Sequence, residues 1–145
     1  MRRGLFAASL ALLAAALPAT AREQIPAEER YYAFDAQIPG CNDDAVLGRL
    51  KSRFAEKEST YWYSNLEIVA VDHIRTTHFR PNGLDLIPRR YCQARVILSN
   101  NRSSPVYYSV VEDAGMAGHS FGLHFCVAAY DRNWASAPEC KMARP

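Results

Sequence analysis

One helical run followed by four strand-like runs predicts an α+β domain: a four-stranded antiparallel meander with the helix across one face. Three observations carry this reading. Val46, Leu47, Leu50 and Phe54 recur at helical spacing in a segment opened by Asn42, Asp43 and Asp44. Beyond it, β-branched and aromatic residues gather into four runs separated by turn residues. Four cysteines in 145 residues follow an export-like leader, which predicts disulfides.

The leader comes first in the chain. Arg2 and Arg3 precede an apolar run from Leu5 to Leu17, and Ala19-Thr20-Ala21 is a small-x-small cleavage pattern, so residues 1–21 read as a signal peptide. The apolar run is short for a membrane span, and no second one follows, so no transmembrane anchor is expected after cleavage. Cleavage after Ala21 would leave residues 22–145, the size of one ordinary domain. The full chain carries 17 Lys and Arg against 15 Asp and Glu, and loss of Arg2 and Arg3 brings the two to balance. That balance argues against a nucleic-acid partner. Periplasmic or secreted localisation is the expectation.

Residues 22–40, limited by Pro26 and Pro39, read as an extended lead-in whose Tyr31, Tyr32 and Phe34 could dock on the domain, which then spans 41–145. The helix is expected over Asn42 to Glu58, capped by Asn42 or Asp43, with its apolar stripe as a packing face. The strands are expected at Tyr61 to Phe79, Arg90 to Leu98, Val106 to Asp113 and Gly122 to Tyr130. Tyr61, Trp62 and Tyr63 would open the first of them. Asn100 to Pro105 reads as a polar hairpin turn, Arg80 to Arg89 as a longer loop, and Ala114 to Phe121 as a glycine-rich one.

Strand alternation assigns the faces. Leu66, Ile68, Ala70, Ile74, Cys92, Ala94, Val96, Leu98, Val106, Tyr108, Val110, Leu123, Phe125, Val127 and Ala129 would face the helix. The other side would carry Glu67, Val69, Val71, His73, Arg75, Tyr91, Gln93, Arg95, Ile97, Tyr107, Ser109, Val111, His124, Cys126, Ala128 and Tyr130. Cys92 and Cys126 then point to opposite faces, which disfavours a bridge between them. Cys41–Cys92 with Cys126–Cys140 is the favoured set. Cys41–Cys126 with Cys92–Cys140 stays open, because a one-residue register slip would reverse the parity.

No stretch carries a catalytic signature. The cysteines include no C-x-x-C, and the spacing of five within His73/His78 and within His119/His124 suits neither a helical turn nor a strand face, so no metal site and no cofactor are expected. No serine sits in a G-x-S-x-G elbow, and Gly115 to Gly122 lacks the lysine of a phosphate loop. The half-polar sheet face is the better candidate. His73, Arg75, Tyr91, Arg95, Tyr107 and His124 combine contact area with hydrogen-bond donors, as partner-binding surfaces do. The bland alternative is a solvated face whose aromatics are covered by the chain ends.

The helix-plus-meander outline is shared with cystatin-like and NTF2-like folds, and that likeness carries no function. An NTF2-like cavity can house an acid–base pair, for which Asp72 and His73 would be nearest. More specifically, Cys41-Asn42-Asp43, the run Ile87-Pro88-Arg89-Arg90-Tyr91-Cys92, Phe125-Cys126-Val127 and the closing stretch from Ala137 to Pro145 resemble a family of small exported alphaproteobacterial proteins with a four-cysteine framework. The resemblance spans nearly all of the mature chain. It implies a bacterial source and a periplasmic compartment, and brings no catalytic residue with it. The expectation is therefore a non-enzymatic binding or accessory module acting on a cell-envelope protein. A small-ligand binder or enzyme using a helix–sheet cavity is the alternative. So is an inhibitor of a hydrolase such as lysozyme, with Arg80 to Arg89 or Ala114 to Phe121 entering the cleft.

Overall fold

The computed structural model describes residues 38–80, 87–112 and 114–145. The predicted signal at 1–21, most of the lead-in at 22–40, most of the first loop and Asp113 lie outside the described residues. The described chain has the expected α+β architecture: helix α1 (Asp44–Trp62), then strands β1 (Ile68–Arg80), β2 (Arg89–Leu98), β3 (Ser103–Val111) and β4 (Gly122–Val127). The four strands form one antiparallel sheet in sequential order.

Asp43 caps α1, its carboxylate accepting from the Ala45 N–H at 2.8 Å. The helix does not end at Glu58 as the sequence suggests; it continues through Tyr61 and Trp62 and closes at Tyr63, which is left-handed at φ 49°. Ser59 to Trp62 are residue types that also suit strands, and packing decides between the two. Glu58, fully buried, takes a 2.7 Å hydrogen bond from Arg132, whose guanidinium lies 5.1 Å over the Trp62 ring. That extra turn of helix is therefore held by the segment that follows β4.

Val46, Leu50 and Phe54 of α1 are buried with Val96, Leu98, Val106, Tyr108 and Val110 of the sheet. These side chains pack together between helix and sheet. The Tyr108 hydroxyl donates to the Cys41 carbonyl at 2.7 Å, and burial pushes its phenol up to about 12. Ile38, the first described residue, is also buried in this core. On the far side of α1, Arg49 donates to the Phe121 carbonyl, and Arg53 to the Leu123 carbonyl at 2.9 Å.

Both favoured disulfides are present, with Cα–Cα distances of 5.8 Å for Cys41–Cys92 and 5.6 Å for Cys126–Cys140, and the alternative pairing is thereby ruled out. The parity reading holds on β2 and β3 and fails in two other places. Three register shifts interrupt β1 against β2, so Val71 stands opposite Val96 on the helix side, whereas Ala70 pairs with Ile97 on the outer side. Each extra residue flips the alternation that follows it. Past Val127 the chain leaves the sheet in a 3-10 turn, Ala128–Tyr130, so Ala129 is exposed and Tyr130 meets Phe54 edge-on at 6.1 Å. The β2–β3 hairpin turn is also tighter than expected: Leu98 N–H reaches Arg102 O at 2.9 Å, and Pro105 lies within β3.

Candidate functional site

The sheet face turned away from α1 is built from cross-strand rows. One row sets Asp72, Arg95 and Pro105 side by side; the next sets Arg75, Gln93, Tyr107 and Cys126; a third sets His78, Tyr91, Ser109 and His124. The six residues expected to form a binding surface do share this face, but they do not form one cluster.

The C-terminal tail divides them. Anchored by the Cys126–Cys140 bridge, it turns at Lys141–Ala143 and buries Cys126, Cys140 and Ala143 against Tyr107 and Ala128. The Arg144 guanidinium lies 4.1 Å over the Tyr107 ring. Tyr91 is buried, with His78 and Arg80 near its ring, and Ser109 and Val111 are buried too. His124 is exposed on β4, an edge strand, three strands away from His73, so the two histidines cannot act together. Coverage by a chain end, the bland alternative, thus describes Tyr107, whereas Tyr91 is covered by neighbours on β1.

What remains open is the β1–β2 half. There His73 and Ile74 of β1 bulge against the single residue Ala94, and His73 takes φ 52°, a left-handed conformation that a non-glycine residue adopts at a cost. The bulge places three polar side chains in contact. Arg95 grips Asp72 with two bonds, Nε to Oδ1 at 2.9 Å and Nη2 to Oδ2 at 3.0 Å. His73 Nδ1 lies 2.8 Å from Asp72 Oδ1 and 3.2 Å from Arg95 Nη2. A proton on Nδ1 suits the shorter, carboxylate contact, which leaves Nε2 as the free ring nitrogen.

The Arg95 guanidinium first, and the His73 imidazole second, hold the Asp72 carboxyl down to about 2. The same bond raises Arg95 above its ordinary value. Arg75 donates to Gln93 Oε1 at 2.7 Å. His73, Arg75, Gln93, Arg95 and Pro105 line a shallow, open depression of about 490 Å³. A second, of about 310 Å³, is lined by Thr77, Gln93, Tyr107, Arg144 and Pro145.

Alternation along a straight β1 would send Asp72 toward the helix, whereas the bulges bring it to the outer face beside Arg95. Asp72 is thus not the wall of a helix–sheet cavity, and the Asp72–His73 pair faces solvent on the opposite side. The signal for its place was chemical: an acid flanked by His73 and Arg75 on one strand suits a mixed polar surface. Among the described residues, no three His, Cys, Asp or Glu side chains gather as a metal site would require. No described helix is long and apolar enough to cross a membrane. Comparison of the chain with protein-family models, curated proteins and solved structures finds no match in any of the three.

Proposed function

We propose that the mature chain is an exported, disulfide-stapled binding module that docks a cell-envelope protein through the β1–β2 half of its outer sheet face and performs no chemistry itself. The carrying observation is the Asp72–His73–Arg95 cluster, oriented by 2.8 to 3.2 Å contacts around a bulge held in a costly backbone conformation. Strain of this kind is retained where the surrounding structure imposes it, and it gathers at binding and catalytic sites. Its histidine is 71 % exposed, so recognition suits the cluster better than proton transfer in a shielded site. Two disulfides and the resemblance to exported alphaproteobacterial proteins support the periplasmic setting.

The test is crosslinking in the periplasm with mass spectrometry, comparing wild type, Arg95→Glu and His124→Glu. A protein captured by wild type and by His124→Glu, but lost with Arg95→Glu, is the expected result. Capture that survives Arg95→Glu and fails with His124→Glu would move the interface to the β4 edge.

A second reading, a hydrolase inhibitor, is favoured by the loop before β4. Gly115 N–H bonds Ser120 O at 3.2 Å, and a Cβ on Gly115 would fall 1.9 Å from the His119 carbonyl oxygen, so glycine is required there. This closed loop presents Met116 at 92 % exposure. Met116→Asp should abolish inhibition of a cleft enzyme if this loop is the inserting element, and leave it unchanged otherwise.

A further inference from the structure

Two cations stand at the open part of the outer face, Arg75 in its β1–β2 half and Arg144 on the tail beside it, and Asp72 neutralises neither. Both Asp72 oxygens are taken by Arg95, and Oδ1 also meets His73, so this carboxylate is committed. Arg75 is pinned instead by a neutral acceptor, Gln93 Oε1. Arg144 is held by the Tyr107 ring and by the Glu139 carbonyl at 2.5 Å, again neutral. Among the described residues neither arginine forms an ion pair. Each guanidinium is therefore oriented without being discharged, which lowers the entropy lost when an acid binds.

Their spacing follows from the sheet. Arg75, Gln93 and Tyr107 lie in one row on three adjacent strands, which sets Arg75 and Tyr107 about 10 Å apart at a strand spacing of about 4.8 Å. Arg144 sits on Tyr107, and the two depressions share Gln93 as a common wall. Arg75 thus lines one of two adjoining depressions and Arg144 the other. An extended peptide offers same-side carboxylates about 7 Å apart at alternate residues, within reach of two flexible guanidinium side chains. A nucleic-acid backbone fits poorly, because Asp72 lies one row away and residues 22–145 have no basic excess.

We propose that this face recognises an acidic peptide segment of a partner protein, with Arg75 and Arg144 each receiving one carboxylate. This rests on the reading of the same face as the docking surface.

The test is a titration of the ¹⁵N-labelled mature chain with octaglutamate, followed by amide shifts at physiological salt, with octalysine as the comparison. Saturable shifts confined to the surroundings of Arg75, Gln93, Tyr107 and Arg144 are expected, with affinity at least tenfold weaker in Arg75→Gln/Arg144→Gln and no response to octalysine. Both arginines are exposed, so a folded double variant is expected, and Arg75→Glu/Arg144→Glu supplies a second one. The proposal is overturned by shifts spread equally over Arg49, Arg53 and Arg102, or by binding that the double variants do not weaken. It is equally overturned by no response. If octaglutamate fails while crosslinked capture still depends on Arg95, the docking face stands and only its acidic preference falls. Loss of both removes the two together.

Discussion

At the scale of single residues, the Asp72–Arg95 pair is the most testable feature. The folded carboxyl titrates at about 2 against an ordinary 3.8, so its contribution is complete above the ordinary value and is lost as pH falls through about 2. The pair therefore stays assembled across the neutral and mildly acidic range. A carbon-detected titration of Asp72 should give a midpoint near 2 in the wild type and return toward 3.8 in Arg95→Ala; an unmoved midpoint would show that Arg95 is not the cause. Glu58 differs in kind, being fully buried with Oε2 held by Arg132 and Oε1 without a partner among the described residues. Arg132→Ala leaves that charge buried and unpaired and should cost about 3 kcal/mol in chemical denaturation.

At the scale of elements, the bulge of β1 is where stability can be separated from the proposed recognition. His73 pays for its left-handed backbone, and glycine would adopt it freely. His73→Gly should leave stability within about 1 kcal/mol of wild type by denaturant melts. The same variant should lose partner capture, and a large destabilisation would mean that the side chain holds the sheet together. This strand also marks where the sequence stops being legible. The register of β2 with β3 is unbroken over nine pairs, so alternation from Tyr91 to Leu98 places every side chain correctly. β1 carries residues with no counterpart on β2, and nothing in Val69, His73 or Thr77 announces them. A helix with a capped start at Asp43 was readable from its first turn. Its end was not, because Trp62 is kept helical by Arg132, seventy residues on.

At the scale of the whole molecule, the two disulfides do different work. Cys41–Cys92 closes a separation of 51 residues between the start of α1 and the middle of the sheet; Cys126–Cys140 closes one of 14 and lays the tail over β3 and β4. On the chain-entropy account the longer bridge stabilises by about 4 kcal/mol and the shorter by about 3 kcal/mol. Cys41→Ser/Cys92→Ser should therefore lower the melting temperature more than Cys126→Ser/Cys140→Ser does. Only the second pair should uncover Tyr107, seen as faster hydrogen exchange in β4. Equal losses of stability with equal exchange patterns would contradict this division. The candidate site was half legible at this scale: its face followed from alternation, whereas the tail that hides Tyr107 follows from a bridge whose partner lies beyond the last strand.

The arginines of α1 that reach Phe121 and Leu123 have a consequence for the molecule in a crowded compartment. An edge strand with free carbonyls is a template for another chain. Leu123 of β4 gives its carbonyl to Arg53 and Phe121, just before the strand, gives its own to Arg49, while β1, the opposite edge, is broken three times by register shifts. Neither border presents an unbroken ladder for strand-to-strand growth, which protects a protein with long, β-rich segments from aggregation. Arg49→Ala/Arg53→Ala should leave the fold in place and shorten the lag before light scattering rises in concentrated solution.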